Sequence, residues 1–253
     1  MREIHSKDNR IFKECQKLSQ KKYRDREGLY LIEGENLIAE VPKKDLVYTI
    51  CSDRQQWNLE DEKDVYLMAD HLFSKIAQTE TSQGILAVVR KPQISVEDLE
   101  ARLAADANVV VLDRLQDPGN IGTIIRTAEG AGYGAVITVK GTGDVFSPKT
   151  IRAAAGSAFR MPILQVEDNH ELRKLADRLG KQLVVTAFDT DKYYFDVDLS
   201  KNVALVIGNE GNGVSDELMA MADVKVKIPM DGNLESLNAS VAAGILMYEV
   251  KRR

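Results

Sequence analysis

The chain has 253 residues, of which 44% are apolar and 29% charged, enough to build a real core spread over two domains. No apolar run approaches the roughly 18 residues of a spanning helix, and the basic N-terminus is not followed by an apolar stretch, so neither a membrane class nor a secretory leader is expected. The net charge of −5 excludes a uniformly basic nucleic-acid binder, because phosphate contacts need clustered Lys and Arg.

His5, His71 and His170 are far apart, and Cys15 and Cys51 form no CxxC pair. No metal site is expected from such scattered ligands. Two ordinary thiols fit a reducing compartment, and a cytoplasmic location is the reading.

Residues 1–30 hold nine basic side chains against five acidic ones. The densest part carries Lys21, Lys22, Arg24 and Arg26, read either as a solvated helix and loop or as a basic arm for RNA. From residue 28, short apolar runs (LYLIE, LVYTI, VYLMA, GILAVVR) alternate with helical stretches at 36–41 and 70–77. That alternation predicts a small α/β unit. Lys91-Pro92-Gln93 interrupts it, and the domains are placed at 1–93 and 94–253.

Ser95, with Asp98 three residues on, predicts a capped helix at the start of the second domain. Continuous apolar runs at 109–112, 135–139, 183–185 and 203–207 read as strands buried on both faces, hence a parallel sheet covered by helices. Helical patterns lie between and after them, at 120–131, 148–155, 169–179, 215–222 and 236–250.

The glycine clusters do not carry a nucleotide fingerprint. Gly130, Gly132 and Gly134 end a helix and precede a strand, whereas a dinucleotide loop follows a strand and opens a helix. After Gly141 and Gly143, Phe146 stands where a third glycine would be required. The run from Gly208 through Gly211 to Gly213 does follow a strand and lead to a helix, without the GK[ST] of a P-loop. Its amides are read as a tight turn or as a concave donor surface for a ligand.

Three segments then stand in order: Leu112-Asp-Arg-Leu-Gln-Asp-Pro-Gly-Asn120-Ile-Gly-Thr-Ile-Ile-Arg126, Val206-Ile-Gly208-Asn-Glu210-Gly211, and Ile228-Pro-Met230 with Ser236-Leu-Asn238-Ala-Ser240. Together they resemble the three motifs of the SpoU class of RNA ribose methyltransferases, within the SPOUT group. Leu29-Tyr-Leu-Ile-Glu33-Gly34 and Gln78-Thr-Glu-Thr-Ser-Gln-Gly84 resemble the small, ribosomal-protein-like α/β domain that many members carry in front.

The resemblance implies transfer of a methyl group from S-adenosylmethionine to a ribose 2'-hydroxyl of RNA, with ribosomal RNA as the substrate. It also implies a C-terminal α/β domain with a deep trefoil knot, and a homodimer. Arg126, Asn120, Glu210, Ser236 and Asn238 are the implied catalytic set, with Glu210 and Asn238 orienting Arg126 and the loops, and Ser236 and Asn238 facing the substrate. Gly208, Ile228 and Leu237 are the implied cofactor pocket. A guanidinium ordinarily stays protonated, so Arg126 is read as gripping a substrate phosphate and orienting the hydroxyl. Ser236 could equally be a plain N-cap of the last helix. A transfer-RNA substrate, or an RNA-binding module that holds cofactor without catalysis, are the alternatives.

Overall fold

The computed structural model describes residues 2–54, 64–232 and 236–252. The chain divides into two compact units, one of Met1–Gln93 with Phe146–Phe159, the other of Ile94–Val145 with Arg160–Arg253.

The first unit opens with β1 (Arg2–Ile4), α1 (Arg10–Leu18) and α2 (Lys21–Glu27). It continues through β2 (Leu29–Glu33), α3 (Glu35–Ala39), β3 (Leu46–Ser52), β4 (Val65–Met68), α4 (Asp70–Phe73) and β5 (Ile85–Arg90). The strands form a mixed sheet in the order β1-β4-β3-β5-β2, with β4 parallel to both neighbours and β5 antiparallel to both of its own. Phe12, Cys15 and Leu18 of α1 are buried against Ile50, Leu86 and Val88 of this sheet, together with Phe73 after β4. The three-residue β1 is too short for any periodicity to reveal it.

Arg24 corrects an expectation. It is buried, and its guanidinium donates to Leu18 O and Ser19 O, both at 2.7 Å. It therefore satisfies the open carbonyls at the end of α1 and is not displayed for RNA. Lys21 and Lys22 are exposed, while Arg26 is exposed but held by Glu27.

The segment Phe146–Phe159, assigned to the second domain from sequence, is counted with the first unit. The Phe146 ring packs 5.1 Å from that of Tyr30, and the Lys91 ammonium lies over it. At Gly156 any Cβ would run into the Glu40 carboxylate. Close packing of this kind is invisible to helix periodicity.

The second unit contains α5 (Val96–Arg102), β6 (Val109–Leu112), α6 (Pro118–Ala131) and β7 (Ala135–Val139). After α7 (Pro148–Ala154) and α8 (Ser157–Arg160) come β8 (Ile163–Val166), α9 (Asn169–Arg178) and β9 (Gln182–Thr186). The chain ends with β10 (Val203–Ile207), α10 (Asp216–Met221), β11 (Val224–Val226) and α11 (Ala239–Tyr248). Ser95 and Asp98 form the expected capping box.

All strand pairs here are parallel, in the order β11-β9-β10-β6-β7-β8. Every side chain of β6, β7 and β10 is buried, which is why these strands read as unbroken apolar runs. From β6 the chain moves outward through β7 and β8, then reappears at β9 and returns inward as β10, between β9 and β6. The sheet thus changes direction at the β6/β10 boundary, and in open α/β sheets the crevice at the carboxyl ends of such strands is where ligands bind. No helix among the described residues is long and apolar enough to cross a membrane.

Candidate active site

The loops that leave β6, β10 and β11 carry the three motifs, and each lies at the carboxyl end of its strand. After β6, Pro118 opens α6 with its fixed φ, and the Asp117 side chain caps it by accepting from Asn120 N at 2.9 Å. The helix closes at Gly132, whose φ of +84° is the left-handed terminator expected of the Gly130–Gly134 run.

Glu210, after β10, organises the first motif. Its carboxylate accepts from Gln116 N (3.0 Å), Asp117 N (2.9 Å) and Asn120 Nδ2 (3.1 Å). Partial burial pushes this carboxyl up, but the amides of Asp117 and Gln116 and the Asn120 side chain outweigh it and hold the group below its ordinary range. Asn120 in turn accepts from Asn238 Nδ2 at 3.0 Å. The Asn238 Oδ1 caps α11 by accepting from Ser240 N (2.9 Å) and Val241 N (3.3 Å). One hydrogen-bonded chain, Glu210–Asn120–Asn238, therefore joins all three motifs.

Arg126 stands apart from it. It is six residues beyond Asn120 on α6, about 9 Å along the axis and roughly a third of the circumference away. It is exposed, and among the described residues it makes no hydrogen bond or ion pair. Glu210 and Asn238, expected to orient Arg126 and the loops, bond to Asn120 and its loop, and none of these bonds reaches Arg126 among the described residues. An exposed arginine with no partner among the described residues is available to an incoming anion. Ser236 is exposed, and the last helix is capped by Asn238 in its place.

The turn after β10 is tighter than expected. Asn209 and Gly213 exchange backbone bonds of 2.9 and 2.8 Å, and Asn209 Oδ1 accepts from Gly211 N (3.0 Å) and Asn212 N (3.2 Å). The amides of Gly211, Asn212 and Gly213 are therefore occupied within the turn. Gly208 is required sterically, because a Cβ there would lie 2.2 Å from Gly213 C and Val214 N. Ile228 and Leu237 are half-buried, and they leave apolar surface open. Gly208 and Ile228 follow strands on either side of β9, and Leu237 adjoins Asn238. A narrow turn without a side chain, flanked by part-open apolar groups, fits an adenosine-bearing cofactor.

Sequence reasoning missed several supports. Asp113, fully buried at the end of β6, accepts from Ser215 N (2.8 Å) and Arg114 Nε (3.0 Å). Arg114 sits at φ +55°, a conformation that is costly for a residue with a side chain. Asn209 Nδ2 donates to its carbonyl at 2.9 Å. Gln116 Nε2 donates to Arg114 O and to Gly141 O, at 2.9 and 2.6 Å. The available signal is a carboxylate closing an all-apolar strand, since a buried charge there must have partners.

Comparison with known proteins adds the decisive finding, for residues 107–248, over half of the chain, match the SpoU rRNA Methylase family. The chain belongs to that family. Residues 9–87 of this SpoU chain also match the MRM3-like substrate binding domain. The SpoU chain is 37% identical over 258 aligned positions to the 23S rRNA (guanosine(2553)-2'-O)-methyltransferase RlmP of Bacillus subtilis, covering 99% of this chain and 100% of that one. An AdoMet-bound rRNA methyltransferase from Sinorhizobium meliloti superimposes with a TM-score of 0.86 at 30% identity, over 99% and 97% of the two chains. The SpoU methyltransferase AviRb from Streptomyces viridochromogenes, in complex with AdoMet, gives 0.86 at 29% identity over 96% and 97%.

Proposed function

We propose that the protein transfers a methyl group from S-adenosylmethionine to a ribose 2'-hydroxyl of ribosomal RNA. The observation that carries this reading is the Glu210–Asn120–Asn238 chain, which ties the three motifs of a SpoU methylase together at the β6/β10 crevice. When bound, S-adenosylmethionine supplies an activated sulfonium methyl, so the protein's task is alignment and the handling of one proton. Alignment alone is worth roughly 7–11 kcal/mol, more than the about 10²–10⁴ in rate that a positioned base adds.

Gly208, Ile228 and Leu237 hold the cofactor. Glu210, Asn120 and Asn238 fix the loops at the carboxyl ends of β6 and β10. Arg126 offers its open guanidinium to a substrate phosphate and so brings the hydroxyl into line, with Ser236 exposed to the same substrate. The proton leaves to that phosphate or to water. In this reading the second unit contains the trefoil knot that membership of the SpoU family implies. It acts as a homodimer in the cytoplasm, and the first unit is a ribosomal-protein-like domain that holds the RNA, supported by the match at residues 9–87.

Ribose-methylation mapping of RNA from cells with and without the gene tests the reading. One 2'-O-methyl mark on large-subunit ribosomal RNA disappears with the gene. A loss confined to transfer RNA, or no loss with no calorimetric uptake of S-adenosylmethionine, would falsify it.

A further inference from the structure

The first unit has a polar cleft of about 390 Å³ lined by Ser52, Arg54, Asp70, Phe73, Ser74, Ala77 and the loop from Thr79 to Gly84. That size falls in the range of small-ligand sites. Its walls are built, not fortuitous. Glu33, buried under the loop, accepts from Gln78 N (2.6 Å) and Thr79 Oγ1 (2.7 Å), and Gly84 N donates to Ser82 Oγ (3.0 Å). On the opposite wall Ser52 Oγ donates to Asp70 Oδ1 (2.8 Å) and accepts from Arg54 N (3.2 Å).

Three groups in the cleft are open. Among the described residues, the Arg54 guanidinium and the hydroxyls of Ser74 and Thr81 have no partner. Asp70 and Glu80 also line the cleft, so a bare phosphate is not the best occupant. Carboxylates suit the amino and imino edge of a base, hydroxyls suit a sugar, and the Arg54 guanidinium suits the attached phosphate.

We infer that this cleft takes one unstacked nucleotide of single-stranded RNA, with its base edge on Asp70 and Glu80 and its phosphate on Arg54. The inference rests on the proposed RNA methyltransferase function and deepens it. It places the RNA contact of the first unit at the cleft and away from the Lys21–Arg26 segment. A splayed-out base recognised on its edges is the usual route to sequence selection in RNA.

The test uses the full chain and a fluorescein-labelled single-stranded RNA 12-mer of mixed sequence, followed by anisotropy over a salt series. Arg54→Ala weakens binding about tenfold, and each lost phosphate contact flattens the log K against log salt slope by about 0.7. Thr81→Val lowers affinity without changing the slope. With a large-subunit ribosomal RNA transcript, the KM for RNA rises in the Arg54 variant while kcat and S-adenosylmethionine affinity hold. Unchanged 12-mer affinity and slope in Arg54→Ala overturn the inference, as does equal binding of a fully paired duplex. Cleft-dependent 12-mer binding by a wild-type protein that methylates no RNA leaves the cleft standing and removes the proposed activity.

Discussion

At the scale of single residues, the contrast between Glu210 and Arg126 organises the chemistry. Glu210 is fully engaged, with three donors on one carboxylate, whereas Arg126 is exposed and without a partner among the described residues. Glu210→Gln keeps the shape but replaces an ionised acceptor and brings an amide N–H against the donors. It should cost roughly 1–3 kcal/mol, read as a fall of a few degrees in melting temperature together with a lower kcat. Arg126→Ala should leave calorimetric S-adenosylmethionine binding nearly intact while methyl transfer drops at least about a hundredfold, the scale of a misplaced substrate. Full turnover in that variant would remove the assigned role. The motif identities of Glu210, Asn120 and Asn238 are legible in the sequence. Their wiring to one another is not, because it depends on side-chain reach across residues 90 and 118 positions apart.

At the scale of elements, the strands most legible in the sequence are those buried on both faces. Val109–Leu112, Ala135–Val139 and Val203–Ile207 are unbroken apolar runs, and each is a strand with the expected bounds. Ile163–Val166 and Val224–Val226 lie at the two sheet edges, carry Gln165 and Lys225, and do not stand out in the sequence. Edge strands need only one apolar face, so their pattern is short and mixed. The turn after β10 yields a direct steric prediction. In Gly208→Ala the new methyl must displace the backbone of Gly213 and Val214, which should cost about 1–3 kcal/mol and weaken S-adenosylmethionine binding. Calorimetric affinity equal to wild type would show that the turn does not shape the pocket.

The same elements respond to acid with a definite sign. Glu210 is pulled down by the amides and Asn120 against its burial, and Asp223 by its Arg173 partner and Leu183 N against its own. A carboxyl whose folded pKa is depressed contributes stability that is complete at neutral pH and fades as the pH falls below about 4, through the lowered value. Asp223 holds β9 to β11 through Leu183 N at 2.7 Å. Chemical denaturation at pH 7 and pH 3 should therefore show a lower unfolding free energy in acid, with a smaller difference in Glu210→Gln. An identical difference in that variant would clear Glu210 of any part in it.

At the scale of the whole molecule, two units built from different sheets share one chain, and each has its own buried cluster. A chain cut to residues 94–253 should be more aggregation-prone than the full protein. It would keep Phe146, Ile151 and Ala154, which are buried in the intact chain, without the first ninety-three residues of the unit to which they belong. Light scattering of the fragment against the full chain checks this, and equal solubility would mean that Phe146–Phe159 finds other cover. The alternation of runs and breaks shows that two domains exist, but not that one of them borrows a segment from within the other's stretch of sequence.

That borrowing sets a timetable for the ribosome making this protein. The first unit cannot be completed when residue 93 emerges, because its remaining piece is translated only after β6, α6 and β7. Those two strands of the parallel sheet must wait in the exit vestibule, apolar and already made, before the earlier domain closes. Grafting a different amino-terminal module onto this enzyme would accordingly mean exchanging two stretches of the gene together.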